Sequence, residues 1–104
     1  MSIKIYNYEF EGPYDSTSNL ADESGIYAIL CKNGNNTFSL VDVGESSTVK
    51  TRIDNHDRKV CWLSKCSISN WKYAVYYTPH LQQSGRKEIE QFIRAKYPSL
   101  CGDR

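Results

Sequence analysis

The stretch SGIYAILCKNGNNTFSLVDVG, Ser24 to Gly44, decides the fold. Ile26 to Cys31 and Thr37 to Val43 are rich in β-branched, aromatic and aliphatic residues, the composition of strands. Between them, Lys32-Asn33-Gly34-Asn35-Asn36 is turn chemistry, and Asn-Gly tolerates the positive φ angles of a tight hairpin turn. The segment therefore predicts a β-hairpin. Gly44-Glu45-Ser46-Ser47 follows, where a glycine and small hydroxyls can stop the strand and cap a helix.

Working outward, residues 3–10 (IKIYNYEF) alternate at period two and predict one further strand, half buried or on an edge. Residues 11–24 carry Gly, Pro, Ser, Asn and Asp throughout and read as a loop. Together, 1–23 form an N-terminal strand-and-loop arm on a core of residues 24–102. Downstream of the hairpin, Ser46 to about Asp57 predicts an amphipathic helix with Val49 and Ile53 as its apolar stripe. On its adjoining face Arg52 and His56, four apart, would stack one above the other. Asp57 to Lys65 is basic and aromatic, with Trp62 expected in the core or as a lid over the helix. Residues 71–78 (WKYAVYYT) predict the next strand, and Ser84 or Gly85 to Lys96 a second helix with Ile89, Phe92 and Ile93 buried. Pro98 ends that helix.

Length and composition bound what these elements can build. A chain of 104 residues, 39% hydrophobic and 24% charged, is one globular domain. No apolar run approaches the ~20 residues that span a bilayer, so no membrane partner is expected. The N-terminus shows no apolar signal region, so a cytoplasmic chain with its four cysteines reduced is expected. Two disulfides are the alternative. Cys61 and Cys66, the only close pair, are spaced loosely for zinc, so buried or semi-buried thiols are the preferred reading. Charge divides the chain. Residues 1–49 hold two basic against seven acidic residues, a net of −5, and residues 50–104 hold eleven against five, a net of +6. The second half is a candidate phosphate-facing surface, though solvated helix faces would give the same count.

Gly25-Ile26-Tyr27, followed one hairpin later by Asp42-Val43-Gly44, resembles the paired signature of the GIY-YIG nucleases. Val43 replaces an isoleucine and Asp42 stands at the second tyrosine. The resemblance extends over about residues 24–102. A helix carrying Arg52 and His56 follows the hairpin, then a strand, then a helix bearing a glutamate, Glu90, with Glu88 its nearest competitor. Pro98 then stands where the family's closing proline does, and Cys101 or Gly102 replaces the asparagine beyond it. The resemblance implies an α+β fold with a small antiparallel sheet of about three strands flanked by helices. It also implies a DNA endonuclease leaving a 5′ phosphate and a 3′ hydroxyl.

On that resemblance Tyr27 activates water, Arg52 holds the scissile phosphate, His56 relays or orients the proton, and Glu90 binds Mg2+ or Mn2+. Those types suit the chemistry. A guanidinium is planar and permanently charged, and Mg2+ commonly takes only one or two protein carboxylates. A tyrosine, with a reference pKa near ~10, needs nearby positive charge to act as a base. Gly25, Gly44, Lys50, Arg58, Lys59 and Arg86 are expected to line the DNA. No zinc finger or helix-turn-helix is read in the sequence, so a targeting partner protein is expected to supply specificity, or the isolated chain to recognise shape or cut with little sequence preference. A double-strand break requires a homodimer or two visits. Two other readings stay open: a nucleic-acid-binding module without efficient chemistry, and a protein-interaction domain docking through the aromatic strand 71–78.

Overall fold

The structure is a computed structural model describing residues 1–102. Its elements run β1 (Ser2–Ile5), β2 (Tyr8–Tyr14), β3 (Gly25–Lys32), β4 (Phe38–Ser46), α1 (Val49–Asp54), α2 (Lys59–Lys65), β5 (Trp71–Tyr77) and α3 (Gln83–Lys96), with short 3-10 turns between some of them. The strands form one antiparallel sheet in the order β1-β2-β5-β3-β4.

This corrects the expected three-stranded sheet to five strands. The arm supplies two of them, because residues 3–10 are not one strand. Tyr6 takes a positive φ of 54° and turns the chain back, so that Ile3 pairs with Phe10 and Ile5 with Tyr8. The second strand then runs on to Tyr14, through residues read as loop, and meets β5. Polar and turn residues misled the reading there, since pairing with β5 supplies the order that local propensity withholds.

The hairpin holds, with two adjustments. The positive φ angles fall on Asn35 and Asn36, and Gly34 is not among them. The second strand continues past Gly44 to Ser46. β3 lies between β4 and β5 and is buried on both faces, so its alternation separates two cores. Tyr27 and Ile29 pack with Val75, α1 (Val49, Ile53) and α2 (Trp62) on one face. Ile26, Ala28 and Leu30 pack with Phe10, Ala74 and α3 (Ile93) on the other.

The helices differ too. The single helix expected to about Asp57 is α1 alone, and the basic-aromatic stretch after it forms α2. In α3, Ile93 is buried and Ile89 half-buried, but Phe92 is 52% exposed; Arg86 and Arg94 are buried instead. The cysteines are not free thiols. Cys31 is bonded to Cys66 and Cys61 to Cys101, so the close pair Cys61 and Cys66 is split between two bridges. Among the described residues no helix is long and apolar enough to cross a membrane.

Candidate active site around Tyr27

Tyr27 sits mid-sheet opposite Gly44 on β4 and Val75 on β5. Its phenol lies across Gly44, where a Cβ would overlap the ring and come within 2.8 Å of Cε2. Gly44 thus makes room for the Tyr27 ring. Gly25 serves strand approach in the same way, since a Cβ there would stand 2.7 Å from the Tyr76 carbonyl oxygen. Both glycines, expected to line DNA, are buried within the sheet.

His56 lies beyond the end of α1, so it does not stack over Arg52 along a helix. A turn, with its N–H donating to the Ile53 carbonyl at 3.3 Å, brings its ring onto Tyr27. The Tyr27 hydroxyl and His56 Nε2 are 2.6 Å apart, and the imidazole also packs against Trp62 at 4.7 Å between centroids. The Arg58 backbone N–H donates to Nδ1 at 3.1 Å. An Nδ1 that accepts leaves the neutral ring's proton on Nε2, so His56 donates to the Tyr27 oxygen.

Burial dominates the acid–base properties of the pair. The Tyr27 side chain is 1% exposed and that of His56 0%. Desolvation pushes the Tyr27 hydroxyl up to about 12, against the pull of Arg58 and Arg52 and with Asp42 and Glu90 adding to the rise. Desolvation lowers His56 to about 4, reinforced by Arg52 and Arg58 and opposed by Asp42 and Asp57. At neutral pH both groups are uncharged. His56 is the hydrogen-bond partner of the Tyr27 hydroxyl; Arg52, Arg58, Asp42 and Glu90 act on it only through their charge.

Arg52 is 36% exposed and donates through Nη2 to Asp57 Oδ1 at 2.9 Å. That bond holds the 74% exposed Asp57 carboxyl below the usual carboxylate range. The same oxygen stands 3.4 Å from His56 Nδ1.

Asp42 is the residue whose role the sequence reading missed. Asp42 pairs with Ile29 beside a bulge in β4 and shares the face of Tyr27 and α2, where it is wholly buried. Oδ2 accepts from Arg58 Nε at 2.8 Å and from Trp62 Nε1 at 2.8 Å. Oδ1 accepts from Arg94 Nη2 at 2.8 Å, from Arg58 Nη2 at 3.3 Å and from the Val43 N–H at 2.8 Å. Arg94 reaches it from α3 while also donating to the Val43 carbonyl at 2.6 Å, the Cys101 carbonyl at 2.9 Å and Glu90 Oε2 at 3.1 Å. A carboxylate inside Leu-Val-Asp-Val was the available signal, because a buried charge demands partners.

Of the two glutamates, Glu88 is exposed and Glu90 is turned inward. Among the described residues no cluster of three or more His, Cys, Asp or Glu could hold a metal. Glu90 nevertheless fits a largely hydrated Mg2+. Its Oε2 is held by Arg94, and its Oε1 accepts no hydrogen bond among the described residues.

The expected DNA-lining cations are occupied. Lys50 pairs with Asp54 at 3.0 Å, and Lys59 donates to the Asp54 carbonyl at 2.8 Å. Arg58 is held by Asp42, and Arg86 is tied to Glu45 at 2.9 Å, to Ser24 and to the Leu81 carbonyl. Comparison of the chain with protein-family models, with curated proteins and with solved structures finds no match in any of the three.

Proposed function

We propose that the chain is a metal-dependent DNA endonuclease of the GIY-YIG type. One observation carries the reading: the 2.6 Å contact between Tyr27 and His56, with Arg52 and Glu90 acting on the same hydroxyl. Tyr27 of β3 and His56 after α1 meet directly, and Arg52 of α1 and Glu90 of α3 supply the residue types that phosphodiester hydrolysis also requires.

In this reading Arg52 exchanges Asp57 for the scissile phosphate and offsets the charge that builds on it. His56 donates from Nε2 to Tyr27, which favours the tyrosinate. Tyr27 gives its proton to bulk water to form the tyrosinate and then takes a proton from the attacking water, while the leaving 3′ oxygen is protonated from solvent. Glu90 holds Mg2+ or Mn2+, which when bound supplies positive charge toward the phosphate and the leaving 3′ oxygen. Products are a 5′ phosphate and a 3′ hydroxyl.

The test is cleavage of supercoiled plasmid with Mg2+ or Mn2+, wild type beside Glu90→Ala and Tyr27→Phe. Nicking that vanishes in both variants and in EDTA is the expected result. A wild type that cuts nothing at any metal concentration overturns the reading. A second reading, a nucleic-acid-binding module without chemistry, is favoured by the burial of Tyr27 and His56 and by a hydroxyl pushed up to about 12. Salt-sensitive DNA binding without cleavage would select it.

A further inference from the structure

Asp57 is spent in an unusual place. Its Oδ1 contacts Arg52 at 2.9 Å and lies 3.4 Å from His56, two of the residues assigned to the phosphate and the proton. The carboxylate itself is 74% exposed and follows the short α1. It presents an anionic oxygen to Arg52 where the proposed substrate would present another. A guanidinium binds carboxylate and phosphate by the same planar hydrogen-bonding geometry, so the two compete for it.

We infer that Asp57 is an internal phosphate mimic: it occupies Arg52 in the free protein and must be displaced before Arg52 can hold a phosphodiester. The inference rests on the nuclease reading for its substrate, but the competition between anions needs only Arg52 and Asp57. Asp57 thereby sets the affinity threshold of the site. A weakly held phosphate leaves Arg52 on Asp57; a phosphate with further contacts to the protein displaces it. The exposure of both partners keeps the pair modest, since exposed ion pairs are weak. Displacement is therefore within reach of a phosphate that makes further contacts with the protein.

The test measures binding of a short fluorescent DNA duplex and of inorganic phosphate, both in EDTA, beside plasmid nicking in Mg2+. The proteins are wild type, Asp57→Asn, Arg52→Ala and the double variant, with Asp15→Asn as a remote charge control. Asp57→Asn is expected to bind both anions about two- to fivefold more tightly, the range an exposed ion pair spans. The gain is expected to vanish on the Arg52→Ala background and to be absent in Asp15→Asn. Equal binding by wild type and Asp57→Asn overturns the inference. So does a gain that survives loss of Arg52, because it would be bulk charge. Nicking without the Asp57→Asn gain leaves the nuclease reading standing and removes this one. The gain without nicking removes the nuclease reading and keeps Asp57 as the competitor. Loss of both signals removes both.

Discussion

At the scale of single residues, charge burial decides the outcome. Asp42 is enclosed with two arginines and an indole N–H, so Asp42→Asn leaves Arg58 and Arg94 with one another and without their carboxylate. Breaking a buried pair by removing one partner costs about 3–5 kcal/mol. Denaturant unfolding of this variant is expected to show that loss, with wild-type secondary structure below the transition. His56 gives a pH signature. Its pKa is about 4 when folded against 6.5 for the free side chain, so between those values the unfolded chain binds the extra proton. The associated stability is whole above pH 6.5 and is lost as pH falls toward 4. About 3 kcal/mol is at stake, by the worth of a pKa unit. Unfolding measured from pH 7 to pH 4 is expected to fall more steeply in wild type than in His56→Gln. Gly44→Ala is expected to cost about 1–3 kcal/mol by overpacking against the Tyr27 phenol. A calorimetric melt of that variant reads it directly.

At the scale of elements, the hairpin was legible and its surroundings were not. β3 and β4 announced themselves through continuous apolar runs around an Asn-Gly turn, and β5 and α3 through period and terminators. β2 stayed hidden because Gly12 and Pro13 carry turn signals inside a paired strand. The exposure of Phe92 was equally unreadable, since arginines take the buried positions of α3 that apolar residues were expected to fill. Of the candidate site, the resemblance pointed to Tyr27, Arg52, His56 and Glu90, and the structure brings Tyr27 and His56 into contact. Asp57 and the partners of Asp42 were not legible, because ion pairing across elements leaves no periodicity. The disulfides belong to this scale as well. Cys31–Cys66 spans 35 residues from β3 to the end of α2, and Cys61–Cys101 spans 40 from α2 to the closing turn. Closing loops of such length is worth about 4 kcal/mol each in the chain-entropy account. The two loops overlap, so their sum overstates the joint effect. Denaturant curves with and without a thiol reductant are expected to separate by several kcal/mol, with the reduced protein the weaker.

Across the whole molecule, the N-terminal arm adds two strands to the sheet and belongs to its core. Ile5 and Phe10 lie in the core beneath α3, and β2 covers what would otherwise be the outer edge of β5. A chain beginning at residue 15 is expected to lose the dispersed amide spectrum of a folded domain and to aggregate through β5. Charge is likewise a property of the whole. The basic half of the sequence folds against acidic partners from both halves, as Asp42 with Arg58 and Arg94, Glu45 with Arg86, and Asp54 with Lys50. A count along the chain therefore overstates the positive surface left for an anionic partner. The bulged strand β4 has a last consequence, for assembly. It is the outermost strand on its side of the sheet. Its Val41 carbonyl accepts the Cys101 N–H at 2.9 Å, and its Val43 carbonyl accepts Arg94. An incoming strand from a second copy would find those acceptors already taken. Self-association by extending the sheet across β4 is therefore disfavoured, and the closing turn acts as a bumper against fibre growth.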